Sequence, residues 1–370
     1  MELARLPLRR IALRLGEGID SPLLVLLLSL SMIGLAALFS ASYDTPARVA
    51  NQAGNLVLAL VAMWLVAQVP PQTMMRFAVP AYVIGLALLV AVALFGDVVN
   101  GARRWLHVGV TRFQPSEMMK LALPLMLAWY FHKHEATLRL RDFAIAALLL
   151  VVPLALIARE PDLGTAALVG AAGFYVIFFA GLSWKVLGTL AALVVAALPL
   201  GWHFLHGYQR KRLLTLLDPT QDPLGAGYHI IQSTIAVGSG GLSGKGWLNG
   251  TQAHLEFIPE RHTDFIFAVF SEEFGLIGNV VLLVLYSLLI ARGLMIAANA
   301  PTIFTRLLAG AIALMYFTYA FVNMGMVSGI VPVVGVPLPF LSYGGTALLT
   351  LFIGAGILMS VHRHRKLVQT

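Results

Sequence analysis

The chain has 370 residues, of which 59% are hydrophobic and 11% charged, with a formal net charge of +8 and no cysteine. An ordinary soluble domain is about a quarter charged, so this composition excludes one and points to an integral membrane protein. The missing cysteines exclude disulfides and thiolate chemistry, and the basic residues flank hydrophobic runs instead of forming the basic stripe with interleaved aromatics that binds nucleic acid.

The opening MELARLPLRRIALRL and the apolar run after it imitate a signal peptide. The run is longer than a usual signal core and further spans follow, so it reads as an uncleaved first helix. Hydropathy predicts ten spanning helices in an all-α fold, at about 22–40, 53–69, 77–95, 116–132, 143–158, 163–182, 186–204, 264–291, 304–326 and 343–361. Arg5, Arg9, Arg10 and Arg14 at the start, and Arg363, Arg365 and Lys366 at the end, put both termini in the cytoplasm by the positive-inside rule. Lys133, Arg139 and Arg141 then fall inside as they should, whereas Arg103, Arg104 and Arg112 fall outside and need another reason. The long Gly/Pro-rich connection 205–263, between the seventh and eighth spans, is expected to be extracytoplasmic and functional. Within it YHIIQSTIAV has the spacing of a short amphipathic helix, expected to pack on the bundle rather than lie on the membrane. No internal repeat is present, so residues 1–370 read as one polytopic membrane domain.

With this topology the even-numbered helices enter from outside. Four polar or Pro/Gly-rich knots precede them: GARRWLHVGVTRFQPSE, REPDLG, PERHTD and VPLPFLSYGG. All four converge on one face, where helix N-termini favour anions.

Asp264 in PERHTD has two readings: a cap of the eighth span, or a general base at the membrane rim whose burial raises its pKa. Glu272 and Glu273 lie about 12 Å further in along a continuous helix, on different faces from Asp264, so the three acids do not form one cluster. An acid inside a span is a functional candidate, with a structural bond to another helix as the alternative. Glu117 and Lys120, spaced i, i+3, form either a structural ion pair or a pair lining a cavity. Asp162 is either a helix cap or, with Glu160, an E-x-D able to hold a divalent ion beside a phosphate. Arg103, Arg104, Arg210, Lys211, Arg212, Lys245 and Arg261 suit a pyrophosphate, or else lipid headgroups. No zinc spacing, P-loop or GxSxG element is present.

Taken together, GARRWLHVG…RFQPSE, EPDLG, DPLGAGYHIIQS…AVGSGGLSGKGWLNGTQ, FIPERHTDFIFAVFSEEFGLIG and NMGMVSGIVPVVGVPLPFLSYGG resemble the SEDS family (shape, elongation, division and sporulation), in its RodA branch. The resemblance runs from the first span to the last. It implies a ten-helix glycosyltransferase of the bacterial inner membrane, active on the extracytoplasmic side. Such an enzyme polymerises lipid II, a disaccharide-pentapeptide on undecaprenyl pyrophosphate, by single displacement with inversion. Asp264 then matches the family's essential acid, and Glu117 and Lys120 its central-cavity pair. Glu272, Asp162 and Ser342 (in VPLPFLSYGG) are supporting candidates. Arg103, Arg104, Arg210, Lys245 and Arg261 are the pyrophosphate candidates, with Mg²⁺ or Mn²⁺ as a further expectation. The implied partners are a class B penicillin-binding protein transpeptidase and other membrane proteins of the elongation machinery. Two rivals stand: a flippase for the same lipid, and a non-catalytic scaffold that activates a partner. Transporters place their sites near mid-bilayer on broken helices, whereas the densest polar groups here sit at the outer edge.

Overall fold

The computed structural model describes residues 18–99, 102–108, 111–160, 162–204, 207–222, 225–255 and 257–366. Arg5, Arg9, Arg10 and Arg14, and the side chains of Arg103, Arg112, Lys211, Arg212 and Lys366, lie outside the described residues. The elements run α1 Ser21–Ala41, α2 Pro46–Gln68, α3 Pro71–Phe95, β1 Asp97–Val99, β2 Ala102–Val108, β3 Thr111–Phe113, α4 Pro115–Lys133, α5 Leu140–Arg159, α6 Leu163–Phe179, α7 Trp184–Phe204, α8 Gly207–Leu217, α9 Ala226–Ser239, α10 Thr251–His254, α11 Ile266–Ala298, α12 Ile303–Val327 and α13 Gly345–Arg363. A long helix occupies each predicted span, and α9 is the predicted amphipathic helix, packed on α11.

Among the described residues seven helices (α1, α2, α3, α5, α11, α12 and α13) are long and apolar enough to cross a membrane. The architecture is that of a multi-pass membrane protein. α4 misses that criterion for a physical reason: it is wrapped by α3, α6 and α12, so it need not be apolar and carries Glu117 and Lys120. Large side chains such as Val25, Met32, Val57, Phe77, Leu148 and Leu283 stay exposed around the periphery, as a lipid-facing belt requires. At one end of the bundle Asp20 caps α1 through Leu23 N (2.9 Å). It also takes the Arg292 guanidinium of α11, with His362 of α13 at 3.5 Å, which pins three helices at one level.

Two features differ from the sequence expectation. The segment before α4 is not loop in an all-α chain: β1, β2 and β3 form an antiparallel sheet in that order. The eighth span is not one continuous helix from 264, either. α11 begins at Ile266 and breaks at Gly275, whose φ of 62° and ψ of −160° leave the helical region. The turn that follows α9 fills the break. The Glu272 and Glu273 carbonyls accept from Lys245 N and Gly246 N (both 3.0 Å), while Leu276 N and Ile277 N donate to Gly241 O (2.9 Å) and Leu242 O (3.1 Å). Two carbonyls and two N–H groups beside the break are thus re-paired, as an apolar surround demands.

Gly240 and Gly244 in GSGGLSGKG follow from that close approach. A Cβ on Gly244 would lie 2.0 Å from Glu273 O, and its φ of +78° disfavours any L side chain. Gly244→Ala is expected to expel the turn and cost at least about 1–2 kcal/mol from backbone handedness alone. A thermal melt of the detergent-solubilised protein checks this; an unchanged midpoint would show that the turn does not depend on Gly244.

Candidate active site

The PERHTD loop is shaped from within. Glu260 sits at φ 49°, and its carbonyl accepts from Thr263 N (3.0 Å) and Phe265 N (3.3 Å), closing a tight turn before α11. From outside, three successive carbonyls are held by α12 and the loop after it. His262 O accepts from Tyr343 N (2.9 Å), Thr263 O from Ser342 Oγ (2.7 Å) and Asp264 O from Asn323 Nδ2 (2.8 Å). Asn323, fully buried, also donates to Val336 O at 2.7 Å, and Ser342 Oγ accepts from Leu338 N at 2.7 Å.

The main chain at Asp264 is therefore fixed while its carboxylate makes no hydrogen bond or ion pair among the described residues. Asp264 does not cap α11: the cap position is Phe265, without a side-chain bond. The half-buried carboxylate packs beside Gly335, where an added Cβ would lie 3.2 Å from Oδ2. Burial, then the negative charges of Glu260 and Asp162, push its pKa up to about 6.

Gly335 also lines a cavity of about 180 Å³, together with Arg104, Gln114, Glu117, Lys120, Asp162 and Thr346. Lys120, 1% exposed, donates to Glu117 Oε1 and to Tyr319 OH, both at 2.5 Å, and lies over the Tyr319 ring. Glu117 Oε2 is left without a partner. Asp162 caps α6, accepting from Thr165 N at 3.0 Å with Oδ1. Its Oδ2 takes Gln114 Nε2 at 3.2 Å and faces Arg104 Nη1 at 3.7 Å. Arg104 projects from β2 and donates from Nε to Glu160 O at 3.3 Å. The sheet thus holds this arginine against the loop between α5 and α6.

Glu160 is buried with neither carboxyl oxygen hydrogen-bonded. Burial and then Asp162 push its pKa to about 8 against the pull of Arg104, so at neutral pH it is largely protonated. Two carboxylates, with both oxygens of Asp162 already taken by Thr165 N and Gln114 Nε2, fall short of the roughly six to eight oxygens a divalent ion such as Ca²⁺ needs. Among the described residues no three acid or histidine groups gather as a metal site. The E-x-D donor set does not fit a resident cation.

The structure therefore groups Asp264, Ser342, Asp162, Glu117, Lys120 and Arg104 about one rim and cavity. It does not bring Glu272, Lys245, Arg261 or Arg210 there. Glu272 supports the turn that fills the α11 break, not the cavity: its Oε1 accepts from Lys245 Nζ (2.6 Å), Thr251 N (2.9 Å) and Thr251 Oγ1 (3.0 Å). Glu273, placed deep in the span by sequence, instead meets Ser40, next to the last residue of α1. The bend at Gly275 keeps both acids near the helix-end level. Arg261 is a strut, donating to Ala41 O at 2.8 Å and pairing with Asp44 at 3.4 Å over the Tyr43 ring. Arg210 lies on α8, outside the cavity lining. Sequence reading missed Asn323, Tyr319 and Gln114; the signal for Asn323 was an amide alone in an apolar span.

Comparison with known proteins follows the same outline. The family model FTSW_RODA_SPOVE, described as a cell cycle protein, matches residues 21–367. The peptidoglycan glycosyltransferase MrdB of Escherichia coli is 52% identical over 351 residues, 95% of either chain. A chain from the solved structure of a peptidoglycan synthase complex that coordinates polymerization and crosslinking superposes with a TM-score of 0.82 at 37% identity, covering 94% of this chain and 98% of that one. The crystal structure of Rod shape determining protein RodA from Thermus thermophilus gives a TM-score of 0.71 at 32% identity, covering 94% and 97%.

Removing one member of the buried pair tests the cavity's wiring. Lys120→Met strands Glu117 and is expected to destabilise by about 3–5 kcal/mol, with much of that recovered in Glu117→Gln/Lys120→Met. Denaturant titration in detergent reads both; equal stability of wild type and Lys120→Met would show that the pair does not anchor α4.

Proposed function

Because the chain belongs to the FTSW_RODA_SPOVE family of cell cycle proteins, we infer that it is a peptidoglycan glycosyltransferase of the RodA type, which polymerises lipid II into glycan strands during cell elongation. The observation that carries the site assignment is the unpartnered carboxylate of Asp264, on a clamped main chain beside a cavity that holds Arg104.

The chemistry follows from the geometry. The acceptor hydroxyl attacks the donor's anomeric carbon, and Asp264 takes its proton as the new C–O bond forms. The bond to the lipid diphosphate breaks, and the leaving group departs with the electron pair. Arg104, tied to the Glu160 carbonyl and facing Asp162, is the cation suited to meet that charge. Lys120 and Glu117 fix the cavity floor, with Glu117 Oε2 available to a sugar hydroxyl. Since the E-x-D set does not fit a resident cation, no step runs through one; Mg²⁺ or Mn²⁺ would enter only with the diphosphate itself.

The reading extends to ten spans with both termini cytoplasmic, Asp264 on the extracytoplasmic face of a bacterial inner membrane, and most of 205–263 outside. The partner proposed is a class B penicillin-binding protein transpeptidase, supported by a similar chain's place in a complex that couples polymerization to crosslinking. The break in α11 is a feature shared with transporters, but it lies near the Asp264 end of the bundle rather than mid-bilayer, which favours chemistry over transport.

Reconstitution with the partner and lipid II, followed by glycan length analysis, tests the assignment. Asp264→Asn at equal folding is expected to make no polymer; wild-type chains from it would remove Asp264 as the base. Lipid movement between leaflets without polymer would favour the flippase. The pH profile has a defined sign. A base must be deprotonated, so the rate should fall about tenfold per pH unit below about 6 and level off above it. A flat profile from pH 5 to 7 would contradict the role.

A further inference from the structure

The turn inside the α11 break carries apolar side chains that the protein leaves uncovered. Leu242 is 72% exposed, Trp247 47% and Leu248 38%. They adjoin Phe39 of α1, whose ring centroid lies 5.8 Å from that of Trp247, and Leu276 and Ile277 of α11, both more than half exposed. The patch therefore continues the periphery of α1 and α11.

Its level can be measured from the Asp20–Arg292 pair. Ala36 lies sixteen residues from Asp20 along α1, and Leu276 sixteen from Arg292 along α11. At about 1.5 Å per residue both stand about 24 Å from that pair, within a hydrocarbon layer about 30 Å thick. The turn is bonded at these two places: Trp247 Nε1 donates to Ala36 O at 3.1 Å, and Leu276 N to Gly241 O at 2.9 Å.

We propose that residues 241–249 are a re-entrant turn seated in lipid, in the leaflet on the Asp264 side, with Leu242 and Leu248 among acyl chains and Trp247 at the headgroup boundary. Irregular backbone is tolerated at that depth only where protein takes up its polar groups, and the broken helix takes up four of them here: Lys245 N and Gly246 N donate to α11, Gly241 O and Leu242 O accept from it, and Gly244 N pairs with Gly240 O at 2.8 Å. The one ammonium in the turn, Lys245, points inward to Glu272 and Thr251. Trp at this height is a side chain that an interface retains. The bilayer then helps hold the break, and through Ile266–Phe274 the direction from which Asp264 is presented.

The absence of cysteine makes the test direct, because each variant carries a single thiol. Leu242→Cys, Ile277→Cys (lipid reference) and Gln221→Cys (loop reference) are nitroxide-labelled in the full chain, reconstituted in phosphatidylethanolamine/phosphatidylglycerol vesicles. Relaxation by oxygen and by a nickel chelate is then compared. The oxygen-to-nickel ratio at Leu242 is expected within about twofold of Ile277 and well above Gln221, as lipid exposure requires. A ratio matching Gln221 would overturn the proposal, including the case in which a protein partner covers the patch instead. A second measurement spares the turn from labelling: the fluorescence difference between wild type and Trp247→Phe should be quenched by brominated acyl chains and not by aqueous iodide. The reverse order of quenching would overturn the proposal.

Discussion

Three consecutive carbonyls, on His262, Thr263 and Asp264, are each taken by a donor from α12 or the loop that follows it. A buried carbonyl left unpaired costs about 1–3 kcal/mol, so these bonds fix where the loop can lie. They also consume the local donors. Asn323 gives both N–H groups to main-chain oxygens, and Ser342 donates to Thr263 O while accepting from Leu338 N. Among the described residues no donor reaches the Asp264 carboxylate, which is what a base requires: a rigid backbone under a reactive side chain that has not been neutralised by a partner.

Electrostatics then divides the acids around the cavity by environment. Asp162 sits at a helix N-terminus, bonded by Gln114 and facing Arg104. Its charge helps raise both Asp264 and Glu160, so one fixed anion tunes two neighbours. Glu160, deeper and unbonded, is largely neutral near pH 7, whereas Asp264 titrates near 6 and remains available as a base. Arg104 joins the two halves, reaching Glu160 O and Asp162 from a small sheet that has no other evident reason to stand at the mouth of a helical bundle.

Much of this was legible in the sequence, and the failures are instructive. Each predicted span falls on a helix, and among the described residues seven of those helices are long and apolar enough to cross a membrane, because bilayer thickness imposes a length that hydropathy records. Asp264, Asp162, Glu117 and Lys120 stood out because charge is rare in this chain. The β1–β3 sheet was not legible, since β1 and β3 are three residues each and β2, at seven, does not alternate apolar with polar residues. Lys245 and Arg261 looked like anion ligands because sequence shows a cation but not its partner; Glu272, Ala41 and Asp44 supply those partners from positions distant in sequence. The helical-wheel argument for Glu272 and Glu273 assumed an unbroken helix, and one glycine at φ 62° removed the assumption.

That glycine also resolves why EFIPERHTDFIFAVFSEEFG concentrates charge in an apolar chain. Without the break, Glu272 and Glu273 would stand two turns inside the span with no turn to meet them. With it, Ile266–Phe274 separates from the rest of α11, and the two acids reach the turn and the end of α1, where Lys245, Thr251 and Ser40 await them. The acids and the break require each other. The carbonyls of the same two residues accept the N–H groups of Lys245 and Gly246, so side chains and main chain bind one turn from one place. Charge that looked misplaced is what fastens the segment bearing Asp264 to the bundle, and it can do so because the helix stops being a helix there.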